Sequence, residues 1–164
     1  MSGKAKLVTL RIRRTETMIT LIGVPDVPGV AATVFGAMAE KAIPVTMIVQ
    51  NAPDAGSASI TFTVLRRDQE AALGITRELM ERLGAEGWMN DDQVVRLSVL
   101  GGELLEEVVG LAGEFFSILA AERINVLAIN TTADVVSCII EDANLDKAVD
   151  LLSRQFGLKV EVIS

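Results

Sequence analysis

The sequence predicts an α+β fold made of two copies of one βαββα unit, and three observations carry that expectation. Its 164 residues are 50% apolar, with 15 basic against 22 acidic side chains, which is the balance of a chain that buries a real core. Short apolar runs of strand length alternate with stretches of helical period, punctuated by Pro and Gly. Four residues recur at one offset of 81: Phe35 with Phe116, Ala39 with Ala120, Ile43 with Ile124, and Val45 with Val126. A shared offset across a helix end and the following strand marks an internal duplication.

In the first copy, Met18 to Val24 reads as an apolar strand. Asp26, Val27, Pro28 and Gly29 form a turn whose Asp and early Pro are helix-start signals, and Val30 to Lys41 is the helix. Pro44 stops it, Val45 to Gln50 is a β-rich strand, and the turn over Pro53 to Gly56 returns the chain into Ser59 to Leu65. Asp68 to Leu83 is an amphipathic helix. The second copy repeats the order: strand Val94 to Leu100, helix from about Leu105 to Glu122, strands Asn125 to Asn130 and Val135 to Ile140, and helix Leu145 to Phe156.

One more strand finishes each unit as a ferredoxin-like βαββαβ sheet. Glu86 to Gln93 lies in the right place for the first copy. The second has two candidates, Leu158 to Ile163 and the opening Leu7 to Arg13. The expected organisation is an N-terminal strand over 1–16, a first module over 17–93 and a second over 94–164, interleaved if the opening strand crosses into the second sheet. Each module has two helices on one sheet face and none on the other. The first copy's strands are apolar on both alternations (Ile19, Leu21 and Ile22; Val45, Met47, Ile48 and Val49), so a bare face or an edge needs a cover. Side-by-side pairing of the modules and dimerisation are both expected.

Histidine and tyrosine are absent, which removes the commonest general base, the usual serine triad and most zinc chemistry. The single cysteine, Cys138, leaves no internal disulfide and no thiolate cluster. The composition favours binding over catalysis, with no catalytic residue, metal or cofactor expected. Residues 1–16 carry a local +4 and the remainder −11. A nucleic-acid arm is one reading of that opening. A half-buried strand is the better one, because Val8, Leu10 and Ile12 alternate with Thr9, Arg11 and Arg13, and an acidic body without tyrosine lacks base-stacking platforms. No nucleic-acid partner is expected. Apolar runs fall far short of the roughly 20 residues that span a bilayer, and no leader-like pattern opens the chain, so no membrane and a cytoplasmic location are expected.

A helix that starts straight after a strand presents unpaired N–H groups and a positive dipole end, ready for a carboxylate. At the Asp26–Gly29 turn, Gly29 leaves the backbone approachable, Pro28 stiffens the entry and Asp26 places a negative charge beside the helix start. Donors for a carboxylate and an acceptor for an ammonium together fit a free amino acid. The competing reading makes Asp26 an N-cap and Gly29 a plain turn glycine. Gln50 and Asn51 close their strand with two amides that serve either a ligand or turn backbone, and Asn125 opens the same two readings.

The runs Thr20 to Ala32 (TLIGVPDVPGVAA), Ile43 to Asn51 (IPVTMIVQN) and Ser59 to Val64 (SITFTV) resemble the tandem ACT modules of the regulatory part of aspartokinase. Asp91 to Val94, Ile124 to Val126 and the closing Leu145 to Phe156 are similar to that family's second half, so the resemblance covers residues 14 to 157 in order. It implies feedback control: threonine, lysine or both bind at ACT interfaces and inhibit phosphorylation of aspartate. Carried over by position, the resemblance implies effector contacts at Asp26, Gly29, Val30, Ala31, Val45 and Gln50, with Asn51 beside them, and Asn125 and Val126 from the second module. It also implies a homodimer through ACT sheets, and a catalytic kinase subunit as a further partner. The chain departs from the family at Pro44, where Asn is usual, and at Thr46, where an acid is frequent. A Ser-Thr-Ser-Glu run is replaced by Asn130, Thr131, Thr132 and Ala133, and a His-Pro-Gly turn by Glu107 to Gly110. Lysine thereby loses acidic partners, although Glu103, Glu106 and Glu107 are near in sequence, and threonine is the safer effector.

The resemblance stops short of a kinase domain. There is no lysine-bearing Gly-rich phosphate loop, and Gly101 and Gly102 are followed by Glu103, which repels phosphate. A regulatory part without catalytic activity of its own is expected. The alternatives are an ACT-type regulatory subunit of another amino-acid pathway, such as acetohydroxyacid synthase, and a ligand-free dimerisation module.

Overall fold

The computed structural model describes residues 7–54, 56–101 and 109–163, which form two units with separate cores. The chain opens with strand β1 (Leu7–Arg13) and passes at once into the unit Glu16–Asp92. There β2 (Glu16–Pro25), α1 (Val30–Glu40), β3 (Val45–Asp54), β4 (Ser57–Leu65), α2 (Gln69–Leu83) and β5 (Gly87–Asp91) build a sheet of order β3-β4-β2-β5. The other unit contains β6 (Val94–Gly101), α3 (Leu111–Ala121), β7 (Ala128–Thr131), β8 (Val135–Glu141), α4 (Leu145–Phe156) and β9 (Lys159–Ile163). Its sheet has the order β7-β8-β6-β1-β9.

Both units are the ferredoxin-like βαββαβ arrangement, and they are interleaved. In the first sheet β5 lies antiparallel beside β2; in the second the same place beside β6 is taken by β1, antiparallel, with β9 parallel on its outer side. Both sequence candidates for the missing strand therefore belong to one sheet, and the strand from the far end of the chain holds the inner position. Leu10 and Ile12 of β1 are buried in the second core with Leu97, Phe115, Cys138 and Leu152. Arg11 and Arg13, on the alternate face, lie on the helix-free side.

The helices sit where their apolar stripes dictate. Val30, Val34 and Met38 of α1 recur every fourth residue and bury against Ile19, Leu21, Ile60 and Phe62; Leu111, Phe115 and Leu119 do the same in α3. Phe35 meets Phe62 edge-on, with ring centroids 5.7 Å apart. The helix exits match in detail: Ile43 N–H donates to Met38 O at 3.0 Å and Ile124 N–H to Leu119 O at 3.0 Å, while Ala42 and Arg123 adopt φ of 54° and 57°. No helix among the described residues is long and apolar enough to cross a membrane.

Three boundaries differ by three residues or more from those expected. Helix α3 starts at Leu111 rather than near Leu105, because Gly110 turns into the left-handed region at φ 91° and serves as its N-cap; residues 105–108 lie outside the described residues. Strand β7 starts at Ala128 rather than Asn125, so Asn125 and Val126 stand in the connector. Ile124 and Val126 keep the apolar alternation of a strand because they pack on the core, but the ladder to β8 opens only with Leu127 N–H to Ile139 O at 2.8 Å. Strand β3 continues to Asp54, which shortens the β3–β4 connection to residues 55 and 56.

Two positions yield predictions. Gly23 sits at the irregularity of β2 with φ 67°, and a Cβ there falls 2.5 Å from Cδ and Cγ of Glu86, whose N–H donates to Ile22 O at 2.8 Å. Gly23→Ala is expected to cost about 1–3 kcal/mol in urea unfolding, with Glu86→Gly restoring only the steric part and leaving the backbone strain. Burial pushes the Cys138 thiol from its ordinary 9.0 up to about 12. The fold thus favours the neutral thiol, a contribution fully present below pH 9 and lost as pH rises toward about 12. Native protein at pH 8 should not react with a disulfide reagent until it opens, and Cys138→Ala should lose stability less steeply than wild type above pH 9.

Candidate functional site

The turn between β2 and α1 is built by Gly29. It holds the N-cap position at φ 97° and ψ −15°, a conformation that L side chains rarely adopt, and a Cβ at this position meets nothing within 4 Å. The space over the helix start is open. No side chain caps α1, so Asp26 is not the N-cap: its carboxylate stays exposed, while its N–H donates to Gly56 O at 3.0 Å and ties the turn to the β3–β4 hairpin.

Within the first turn, Val30 N–H reaches Val27 O at a long 3.4 Å and Thr33 N–H donates to Gly29 O at 2.9 Å, also accepted from the Thr33 hydroxyl at 3.0 Å. Ala31 and Ala32 lie between them, at positions whose N–H groups have no carbonyl four residues earlier within the helix. Among the four described α-helices, α1 alone has no acidic side chain in its first turn; Glu70, Glu114 and Asp146 occupy those of α2, α3 and α4. The positive dipole end of α1 is therefore uncompensated within its own turn, beside the Asp26 carboxylate.

The other expected contacts are distributed. Gln50 and Asn51 are exposed on β3, an edge strand, opposite Ile60 and Ser59 of β4, in the half of the sheet that ends at the Asp26 turn. Gln50 shares the face of Ile60 and Asn51 the opposite, helix-free face. Val45 pairs with Val64, at the end of the sheet remote from Asp26, roughly 23 Å along the strands from Ser57 at about 3.3 Å per residue. It is half-buried against the first core, as is Val126 against the second, whereas Asn125 is exposed. The structure brings Asp26, Gly29, Val30 and Ala31 together at one turn and does not bring Val45 to it.

The sequence reading placed Gly110 in a turn that departs from the resemblance and did not recognise it as the counterpart of Gly29. It has the same left-handed geometry as Gly29, and Glu114 N–H donates to its carbonyl at 2.9 Å as Thr33 N–H does to Gly29. The signal was present, since Gly110 follows Gly29 by the repeat offset of 81.

Comparison with known proteins agrees with this architecture. The ACT domain family matches residues 19–78 and 98–156, one match per module. Aspartokinase of Pseudomonas aeruginosa is 35% identical over 149 residues, which is 91% of this chain and 36% of the relative. Aspartate kinase Ask_LysC of Stutzerimonas stutzeri is 34% identical with the same coverage, so the chain spans about a third of the length of these curated relatives. A crystal structure of aspartokinase alpha and beta subunits superposes with TM-score 0.86 at 34% identity, over 93% of this chain and 99% of the other. The ligand-free regulatory subunit of aspartate kinase from Thermus thermophilus gives 0.84 at 27% identity, over 91% and 97%. With both modules matched in order and the relevant solved chain covered almost end to end, the chain belongs to the ACT-domain family, as a tandem ACT pair of the aspartokinase regulatory type, a regulatory and not a catalytic part.

Proposed function

We propose that this chain senses a free amino acid, threonine before lysine, and transmits its binding to an aspartokinase catalytic partner as feedback inhibition. The observation that supports the reading most directly is the start of α1: an uncapped, uncompensated helix end open over Gly29, next to an aspartate not used as a cap. The ligand carboxylate lies against the N–H groups at Val30 and Ala31, and its ammonium faces Asp26. A second copy pairing through the β3 edge, where Ile48 is 49% exposed, brings Gln50 and Asn51 into an interface. Asn125, Val126 and Val45 enter the site only through such an assembly. Lysine is the weaker candidate because Ala133 stands where the resemblance offers glutamate to its side-chain ammonium.

The energetics suit a sensor. A charge-assisted hydrogen bond contributes roughly 1.5–3 kcal/mol, so a few at each end of a zwitterion, less immobilisation, reach about 4–8 kcal/mol, a millimolar to micromolar ligand.

Threonine at a hundred times its dissociation constant should stabilise the chain by about 2.7 kcal/mol in thermal unfolding. Asp26→Ala should abolish that gain while changing unliganded stability by less than about 0.5 kcal/mol, since the side chain is exposed and caps nothing. Normal threonine binding by this variant overturns the site. Gln50→Ala should weaken either threonine binding or self-association in sedimentation; if both are untouched, Gln50 leaves the site. Adding the chain to a catalytic aspartokinase chain should make its activity threonine-sensitive, and no change in inhibition overturns the regulatory role.

A further inference from the structure

Strand β9 lies outside the βαββαβ unit of the second sheet, and among the described residues the first sheet has no counterpart to it. It bonds to β1 along one side only, so among the described residues its outer row of N–H and C=O groups faces no other strand. Proteins commonly blunt such an edge with proline, a bulge or a twist away from the sheet. Lys159–Ile163 contains neither proline nor glycine and keeps an unbroken register with β1.

The two faces of this edge differ. Val160 and Val162 stand in register with the buried Leu10 and Ile12, on the side of the helices, yet they are 41% and 63% exposed. Val162 borders a groove of about 390 Å³ against Leu145, Val149 and Ser153 of α4, so the helices leave the apolar side of β9 uncovered. On the helix-free side, Lys159 and Glu161 follow Thr9 and Arg11. Glu161 accepts from Arg11 Nε at 3.0 Å, whereas Lys159 has no ion pair among the described residues.

We propose that this edge docks β9 of a second copy of the chain, the two strands running antiparallel about a two-fold axis at Val160. Read in reverse, the order Lys159, Val160, Glu161 is its own complement in charge. Lys159 then stands opposite the partner's Glu161, and Val160 meets the partner's Val160. Each Glu161 lies between Arg11 of its own chain and the partner's Lys159, a row in which the signs alternate. Moving the axis one residue, to Glu161, sets the two carboxylates face to face, and like charges directly opposite are unfavourable. Charge therefore selects the first register, in which the exposed valines form one apolar strip across both copies. This contact uses no residue of the β3 edge or of the amino-acid site at α1, and stands without either.

Cysteine cross-linking of the full chain under mild oxidation tests the register. Val160→Cys sets two thiols directly opposite each other, with Cβ atoms about 4.5–5.5 Å apart, close to disulfide distance, and a covalent dimer is expected. Val162→Cys leaves the thiols roughly 13 Å apart along the strands at about 3.3 Å per residue, and should cross-link at least tenfold more slowly. So should Met89→Cys, 62% exposed on the other sheet, which reports random collision. Cys138 is buried and should give no background. In Val160→Cys protein, Lys159→Glu should slow cross-linking at least tenfold, and Glu161→Lys added to it should restore the rate. Cross-linking of Val160→Cys no faster than that of Met89→Cys, faster cross-linking of Glu161→Cys, or no rescue by the paired charge exchange overturns the proposal.

Discussion

The placement of β1 is the constraint on which the remaining structure depends. A strand at the beginning of the described chain occupies the inner position of the second sheet, bonded on one side to β6 and on the other to β9. Leu10 and Ile12 contribute two side chains to the core of a unit whose other elements begin some eighty residues later. Without β1, β6 would be an edge and β9 would have no neighbour in the sheet, so the second unit cannot complete its architecture before the first has been synthesised. Such non-local pairing carries a loop-closure cost that only the finished core offsets. It also means that the chain crosses between the units twice, at 15–16 and at 92–93.

Within this frame the duplication shows what the fold requires and what it leaves variable. The helix entry at Gly29 and Gly110, the left-handed exits at Ala42 and Arg123, and the buried stripes of α1 and α3 repeat almost bond for bond, because each solves the same packing problem against the same sheet. The first turn of α1 lacks the acid that its counterpart has in Glu114. This difference sits at a position that packing does not dictate, which makes it the place to look for binding.

Much of the fold was legible in the sequence because it is written in local period. Alternation in Leu7–Arg13 identified a strand with one wet face, and the recurrence of Phe35, Ala39, Ile43 and Val45 identified the duplication. Alternation says which face is buried but not against which sheet, so the inner place of β1 became visible only with its ladder partners. The same ambiguity started β7 too early: Ile124 and Val126 are apolar and alternate, but a strand begins where backbone bonds begin, at Leu127 N–H to Ile139. At the Asp26–Gly29 turn the sequence left Asp26 open as an N-cap, and the geometry removes that alternative because Gly29 holds the N-cap position. The opposition of Arg13 to Arg96 was not readable at all, since the two meet only through the crossing of β1.

Feedback control draws on the difference in ligand affinity between two arrangements of a protein, not on the affinity itself. Changing a partner's affinity or activity by 5–150-fold takes about 1–3 kcal/mol of differential binding, well within what a zwitterion held at both ends supplies. Under the proposed role, two units with separate cores suit that task, because ligand binding need not unfold either core. The proposed site at a helix start would also cost little in stability, since its donors belong to a turn that Gly29 shapes without a side-chain cap. Under that proposal sensing is separated from folding, which leaves the binding residues free to differ between the two copies of the same module.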